Sequence, residues 1–313
     1  AEYPLCLKGG GYRMSGNRKK KNRTSTQGTL LYMPAILIIF GIVVYPMLYA
    51  LVMSFTGYSV RKPVMNFVGI ANYIKILQDA SFWQAVGRSL IFTFGSLIPQ
   101  VVLGLAIAIL LNHPDLRFKG LFRGLVIMPW LVPTVAVAMI FRWMFHDIYG
   151  IMNYILIDLH VLKEPVAWIA NEHTAMFILI LANVWRGVPM LITMFLAGLQ
   201  GIPSDLYEAG QIDGANGWNR FCKITLPLLM PVVMVSGILR FIWTFNFYDL
   251  PWVMTGGGPA EATQTTPIYA YRRAFSSYRM GEGSAITMIL FVILIIFAAI
   301  YFILKKRQDK LYG

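Results

Sequence analysis

Residues 202–231 read IPSDLYEAGQIDGANGWNRFCKITLPLLMP, a polar segment held between two long apolar runs. Asp205, Glu208 and Asp213 fall close together in a chain with only 14 acidic residues. Leu206, Ala209, Ile212 and Ala215 recur at helical spacing, which predicts a short helix with one apolar face. Pro203 fits the start of that helix and Ser204 its first turn. Gly214 and Gly217 predict its end and a turn of the chain. Pro227 and Pro231 interrupt the apolar run that follows. A short helix carrying small residues, laid across the end of a membrane bundle, is a surface suited to docking.

Composition sets that segment in a membrane. Of 313 residues, 57% are hydrophobic and 13% charged, which excludes an ordinary soluble domain. The net charge of +13 raises nucleic acid as a partner. The basic residues cluster beside apolar runs rather than on a separate polar domain, so none is expected. Cys6 and Cys222 do not make a disulfide framework, and Cys222 is expected to be inert.

Six apolar segments, 30–55, 85–111, 121–145, 174–199, 226–247 and 284–304, each approach the roughly 20 residues that cross a bilayer. All are expected to be helices, because lipid offers nothing to an unpaired backbone. Arg18, Lys19, Lys20, Lys21 and Arg23 place the N-terminus inside by the excess of Lys and Arg on cytoplasmic loops. Arg117, Lys119 and Arg123 after the second span agree. So do Arg220 and Lys223 in the polar segment, and Lys305, Lys306, Arg307 and Lys310 at the C-terminus. Residues 1–28 have no periodicity and are expected to be a disordered basic tail, with Met14 a candidate natural start. The expected organisation is that tail, a six-span domain over 29–304 with its cytosolic loop at 202–225, and a cytoplasmic tail at 305–313.

Glu208-Ala209-Gly210, Asp213-Gly214-Ala215 and Ile224-Thr225-Leu226-Pro227 together resemble the cytoplasmic signature loop of permease subunits in binding-protein-dependent ATP-binding-cassette importers. Gly210 stands where that pattern has Ala. Thr255-Gly256-Gly257-Gly258-Pro259 cannot be regular helix and resembles an element after the fifth core span in the sugar-importing branch. The segment from Tyr269 to Phe275 is also similar to that branch. The resemblance implies an all-α membrane protein, the six-transmembrane-helix core of a type I importer permease with a cytoplasmic coupling helix, in the bacterial cytoplasmic membrane. It implies a heterodimer with a second homologous permease, two cassette ATPase subunits that bind ATP and Mg, and an extracytoplasmic solute-binding protein. Coupling would fall to Glu208, Ala209, Gly210, Asp213, Gly214 and Ala215.

Polar groups inside spans are costly and usually face the bundle interior. Arg186 lies in Asn183-Val184-Trp185-Arg186-Gly187-Val188-Pro189, where glycine and proline loosen the helix. Arg240 shares a helical face with Trp243, Thr244, Phe247 and Tyr248. Span three adds Trp130 and Thr134. Such a surface suits sugars, whose ring faces stack on aromatics and whose hydroxyls take hydrogen bonds. In the sugar-importing branch these stretches line the translocation path. Each residue also has a plain structural reading: either arginine can pair with a carbonyl and touch no solute, and the aromatics can be packing. Two arginines on one pathway would favour an acidic saccharide, such as a uronate oligosaccharide.

There is no GxxxxGK[ST] phosphate loop, no metal-ligand spacing among His113, His146, His160 and His173, and no catalytic constellation in the spans. No enzyme activity or cofactor is expected in this chain. An ion-coupled secondary transporter is the rival reading, and it would need acids within the membrane.

Overall fold

A computed structural model describes residues 32–61 and 63–312. The basic tail expected over 1–28, with Cys6 and Met14, lies outside the described residues. Helix dominates; among the described residues, the only strand pairing is one antiparallel bridge between Thr56 and Phe67. Five helices are long and apolar enough to cross a membrane: α1 (Tyr32–Ser54), α3 (Ala80–Asn112), α7 (Ala175–Gln200), α9 (Gly217–Phe245) and α12, whose apolar part is Met280–Ile303. A bent pair, α4 (Lys119–Leu131) and α5 (Thr134–Met144), passes the same test together, as a broken span or a re-entrant loop. Shorter helices connect them: α2 (Ala71–Leu77), α6 (Ile151–Asp158), α8 (Ser204–Ile212), α10 (Asp249–Thr255) and α11 (Thr266–Tyr271).

The chain divides into two compact units, Ala1–Ala50 and Leu51–Gly313. In the first, nearly every side chain of α1 is exposed, as suits a helix whose solvent is lipid. Its π-helical turn, Phe40–Val44, ends two residues before Pro46. A second such turn, Phe221–Thr225, ends two residues before Pro227. Proline lacks the N–H that would close the i→i−4 bond and crowds that carbonyl, and a widened preceding turn absorbs the misfit.

The structure corrects the third span. The apolar stretch 121–145 is not one helix, because α4 and α5 meet at 90°. Val132 and Pro133 between them are extended, with ψ of 128° and 139°. A residue before proline is driven out of the α region, and Pro133 has no N–H to continue the ladder. At the C-terminus the structure adds a detail. The last helix continues through Tyr312, over most of the residues expected as a separate tail.

Within the second unit, α3 and α7 form the most extensive helix pair. Gly104 sets their approach: a β-carbon there would lie 3.0 Å from Leu191 Cβ, so the two backbones meet as small residues permit in membrane bundles. One buried core cluster joins Phe92, Phe141, Phe145, Ile178 and Leu250 at one end of α7. Another joins Ala108, Leu191, Phe195, Leu199 and Leu229 toward its other end.

A polar lock ties the start of α3 to the segment preceding α12. Asp79 caps α3, its Oδ1 accepting from the Ser81 amide at 2.9 Å. Its Oδ2 accepts from the Tyr269 hydroxyl at 2.6 Å and from Arg273. Burial pushes this carboxyl up, but the Tyr269 and Ser81 hydrogen bonds with the Arg273 charge outweigh it, and the pKa lies below the ordinary carboxylate value. Glu282 binds Lys75 at 2.5 Å and lies 3.7 Å from Arg273, which closes the assembly.

Candidate functional site

Two places in the fold correspond to the two candidate sites in the sequence, and they lie at opposite ends of α9. At its start is the polar segment. The helix α8 spans Ser204–Ile212 with Pro203 at its N-cap, and Gly214 follows it in the left-handed region at φ 75°. The Ala215 amide donates to the Gly210 carbonyl at 2.9 Å and so closes the end of the helix. Gly217 does not end this helix, as expected from sequence, but begins the next. Asn216 caps that one, its side chain accepting from the Asn219 amide at 2.8 Å. Asn and Asp compete with Gly as punctuation, and here the cap decided.

The segment folds onto its own return strand of chain. A β-carbon at Gly210 would sit 3.0 Å from Ile224 Cδ1, so the small residue fits a tight contact within the loop. The Tyr207 hydroxyl and Thr225 Oγ1 lie 3.0 Å apart. The other face is open. Glu208, Ala209, Asp213 and Gly214 are exposed, Ala215 half-buried, and Ile212 and Trp218 are 87% and 71% exposed. The apolar face predicted for Leu206, Ala209 and Ile212 therefore points away from this chain, and Ala215 lies beyond the helix.

At the far end of α9 a cleft of about 440 Å³ opens between α4, α7 and α9. Trp130, Arg186, Arg240, Trp243, Thr244, Asn246, Phe247, Tyr248 and Asp249 line it. Seven of the eleven residues proposed from sequence for a solute path thus share one cavity. Trp185 does not line it. Its ring packs on Phe141, centroids 5.9 Å apart. Thr134 begins α5, beyond the break, and also lies outside the lining. Asn183 and Gly187 stand behind the cleft wall, and they explain how the wall holds its charge.

Arg240 is 5% exposed, yet it reaches the cleft. Its Nε donates to Gln100 Oε1 at 2.8 Å and its Nη2 to Asn183 Oδ1 at 3.3 Å. Gln100 Nε2 in turn donates to the Asn183 carbonyl at 2.8 Å. The guanidinium is braced by α3 and α7 through neutral oxygens. Gly187 makes room for it: a β-carbon at 187 would occupy the space of the Arg240 guanidinium and the Gln100 amide. Arg186 lies over the Phe247 ring, 5.6 Å from its centroid. Asn183 Nδ2, Arg186 Nε and Thr244 Oγ1 are buried without a hydrogen-bond partner among the described residues. Tyr248, past the end of α9, has its phenol pushed up to about 12 by burial and by Tyr271 and Asp249, so it is a neutral hydroxyl at physiological pH.

Sequence reasoning weighted by ionisable groups does not single out Gln100. The signal is an amide at mid-span, directly after Pro99 in an otherwise apolar run. Its partner, 140 positions away, is set by packing alone.

The cleft and the polar loop both fall where residues 100–310 match the family model for the inner membrane component of binding-protein-dependent transport systems. The chain belongs to this family. The permease is 37% identical over 286 residues to the trehalose/maltose transport system permease protein of Thermococcus litoralis, covering 90% of this chain and 95% of that one. It is 34% identical to an inner membrane ABC transporter permease protein of Escherichia coli, over 91% and 94% of the two chains. It is 32% identical to the lactose transport system permease protein of Rhizobium radiobacter, over 90% and 94%. Its fold matches a chain in the crystal structure of a bacterial ABC transporter involved in the import of the acidic polysaccharide alginate. The TM-score is 0.78 over 91% of the permease and 97% of that chain, at 20% identity.

Proposed function

We propose that this permease carries an oligosaccharide bearing an acidic group, of the uronate type, across the cytoplasmic membrane after delivery by a solute-binding protein. The sugar class is supported by the relatives, named for trehalose/maltose and lactose transport. The acidic class rests on one observation. Arg186, Arg240 and Asp249 line the cleft together and leave one excess positive charge among aromatic walls. A carboxylate would complement that charge, and sugar ring faces would stack on the aromatic walls.

The exposed helix α8 is proposed as the coupling helix. Glu208, Ala209, Gly210, Asp213, Gly214 and Ala215 would seat it on one of two cassette ATPase subunits, which hold ATP and Mg and perform the hydrolysis. A second, homologous permease completes a heterodimer, with both termini of this chain on the cytoplasmic side. Closure of the ATPase pair would draw the docked helices together and open the bundle outward to the binding protein; hydrolysis would return it inward. An ion-coupled mechanism fits less well. Within the apolar stretches of the described spanning helices the only acid is Glu282, in the first turn of α12 and bound to Lys75.

Two measurements test the two ends. Arg240→Met in the complete transporter should lower uptake of a uronate oligosaccharide about tenfold or more while sparing a neutral one, since a hydrogen bond to a charged group is lost. Unchanged acidic uptake would reject the acidic class. Glu208→Lys should leave the permease inserted but cut uptake to below about a tenth, as charge reversal at a docked ion pair does. If ATPase co-purification and uptake both survive, α8 is not the coupling helix.

A further inference from the structure

Tyr248 lines the cleft and also touches rings beyond it. Its ring lies 5.6 Å from that of Trp252, the two stacked at 19°, and 5.1 Å from that of Tyr271. Trp252 and Tyr271 lie 4.8 Å apart, and Tyr271 and Phe275 4.9 Å. The rings come from two separate pieces of chain. Tyr248 and Trp252 are four residues apart at the start of α10, and Tyr271 and Phe275 four apart at the end of α11. Each piece aligns one pair on one face, and only the tertiary fold makes the pairs meet. Arg272 fixes the second piece, donating to Gln264 Oε1 at 2.6 Å and to the Gly256 carbonyl at 2.7 Å. None of these four rings belongs to a buried core cluster; each keeps exposed surface, and Phe275 is 52% exposed. Rings that only fill a core are closed over by neighbours. These form a continuous, partly open row that starts in a charged cleft and leaves it at the end where α9 finishes.

We infer that this row is a saccharide subsite in series with the cleft. It takes the neutral faces of the second and later sugar units while the acidic unit sits between Arg186 and Arg240. Apolar pyranose faces stack on aromatic rings, Tyr248 and Tyr271 add hydroxyl partners at the ring edges, and successive rings are spaced at about the length of one sugar unit. The inference rests on the sugar reading above and adds a dependence on chain length. A row facing lipid would carry no such dependence.

The test is calorimetric titration of the complete purified transporter, held outward-facing with a non-hydrolysable ATP analogue and without binding protein, with uronate oligosaccharides from monomer to pentamer. Wild type should bind more tightly with length. Trp252→Leu and Tyr271→Leu should weaken binding of trimer and longer by about three- to tenfold, the worth of one aromatic contact, and leave the monomer unchanged. Trp252→Phe and Tyr271→Phe, which keep the ring, should retain the gain with length. Equal loss at every length, or no loss at any, overturns the subsite while leaving the cleft reading intact. Failure of wild type to bind any member of the series overturns the sugar reading itself, and the subsite with it.

Discussion

Gly187→Ala is expected to abolish transport by a substitution that removes no polar group. The added carbon would take the place of the Arg240 guanidinium and force it off Gln100 and Asn183. Magnitudes identify which loss matters. A single side-chain hydrogen bond within a membrane bundle is worth about 0.6 kcal/mol, and losing one would scarcely register. A buried charge stripped of its acceptors costs about 3–5 kcal/mol, and Arg240 is 5% exposed with no acidic partner among its hydrogen bonds. The variant should therefore insert in the membrane, show a lowered thermal midpoint when purified, and accumulate less than about a tenth of the wild-type sugar. Wild-type uptake with Ala at 187 would mean that the guanidinium is free to leave the brace at no cost.

Gln100→Glu is expected to remove the cleft's preference for an acidic cargo. A carboxylate at the Gln100 Oε1 position, 2.8 Å from Arg240 Nε, would form a charge-assisted pair and cancel the excess cation. The variant also loses the donor that Gln100 supplies to the Asn183 carbonyl, at about 1–3 kcal/mol. Uptake of a uronate oligosaccharide should fall about tenfold or more, while a neutral oligosaccharide of equal length is taken up at least as well as by wild type. Retained preference for the acidic sugar would show that Arg240 does not read cargo charge. Paired with Arg240→Met, the two variants reach the same neutral cleft from opposite sides and should resemble each other.

Arg186 and Arg240 line one cleft, but the two differ in support. Arg186 leans on Phe247, whereas Arg240 is fixed by amides from two other helices. An arginine that snorkels to water is mobile. One held by Gln100 and Asn183 presents a fixed edge to a ligand, the condition for recognising a carboxylate bidentately.

The amino-acid sequence by itself determined that this chain is a set of apolar helices, since length and hydropathy leave lipid no alternative. It also determined where the polar helix α8 starts, because Pro203 and Ser204 act locally. It placed the cleft residues of α9 on one face, because Arg240, Trp243 and Thr244 follow helical spacing. Four things escaped periodicity: two are local, set by Pro133 and by the Asn216 cap, and two belong to tertiary structure. The break at Val132–Pro133 did not show in hydropathy, because both halves are equally apolar. The start of α9 at Gly217 depended on Asn216 acting as a cap. Gln100 met Arg240 only because α3, α7 and α9 pack together, and the pairs Tyr248/Trp252 and Tyr271/Phe275 met only because the loop between α10 and α11 folds back. Periodicity reports which side of a helix is apolar; it carries no information about which helix that side will face.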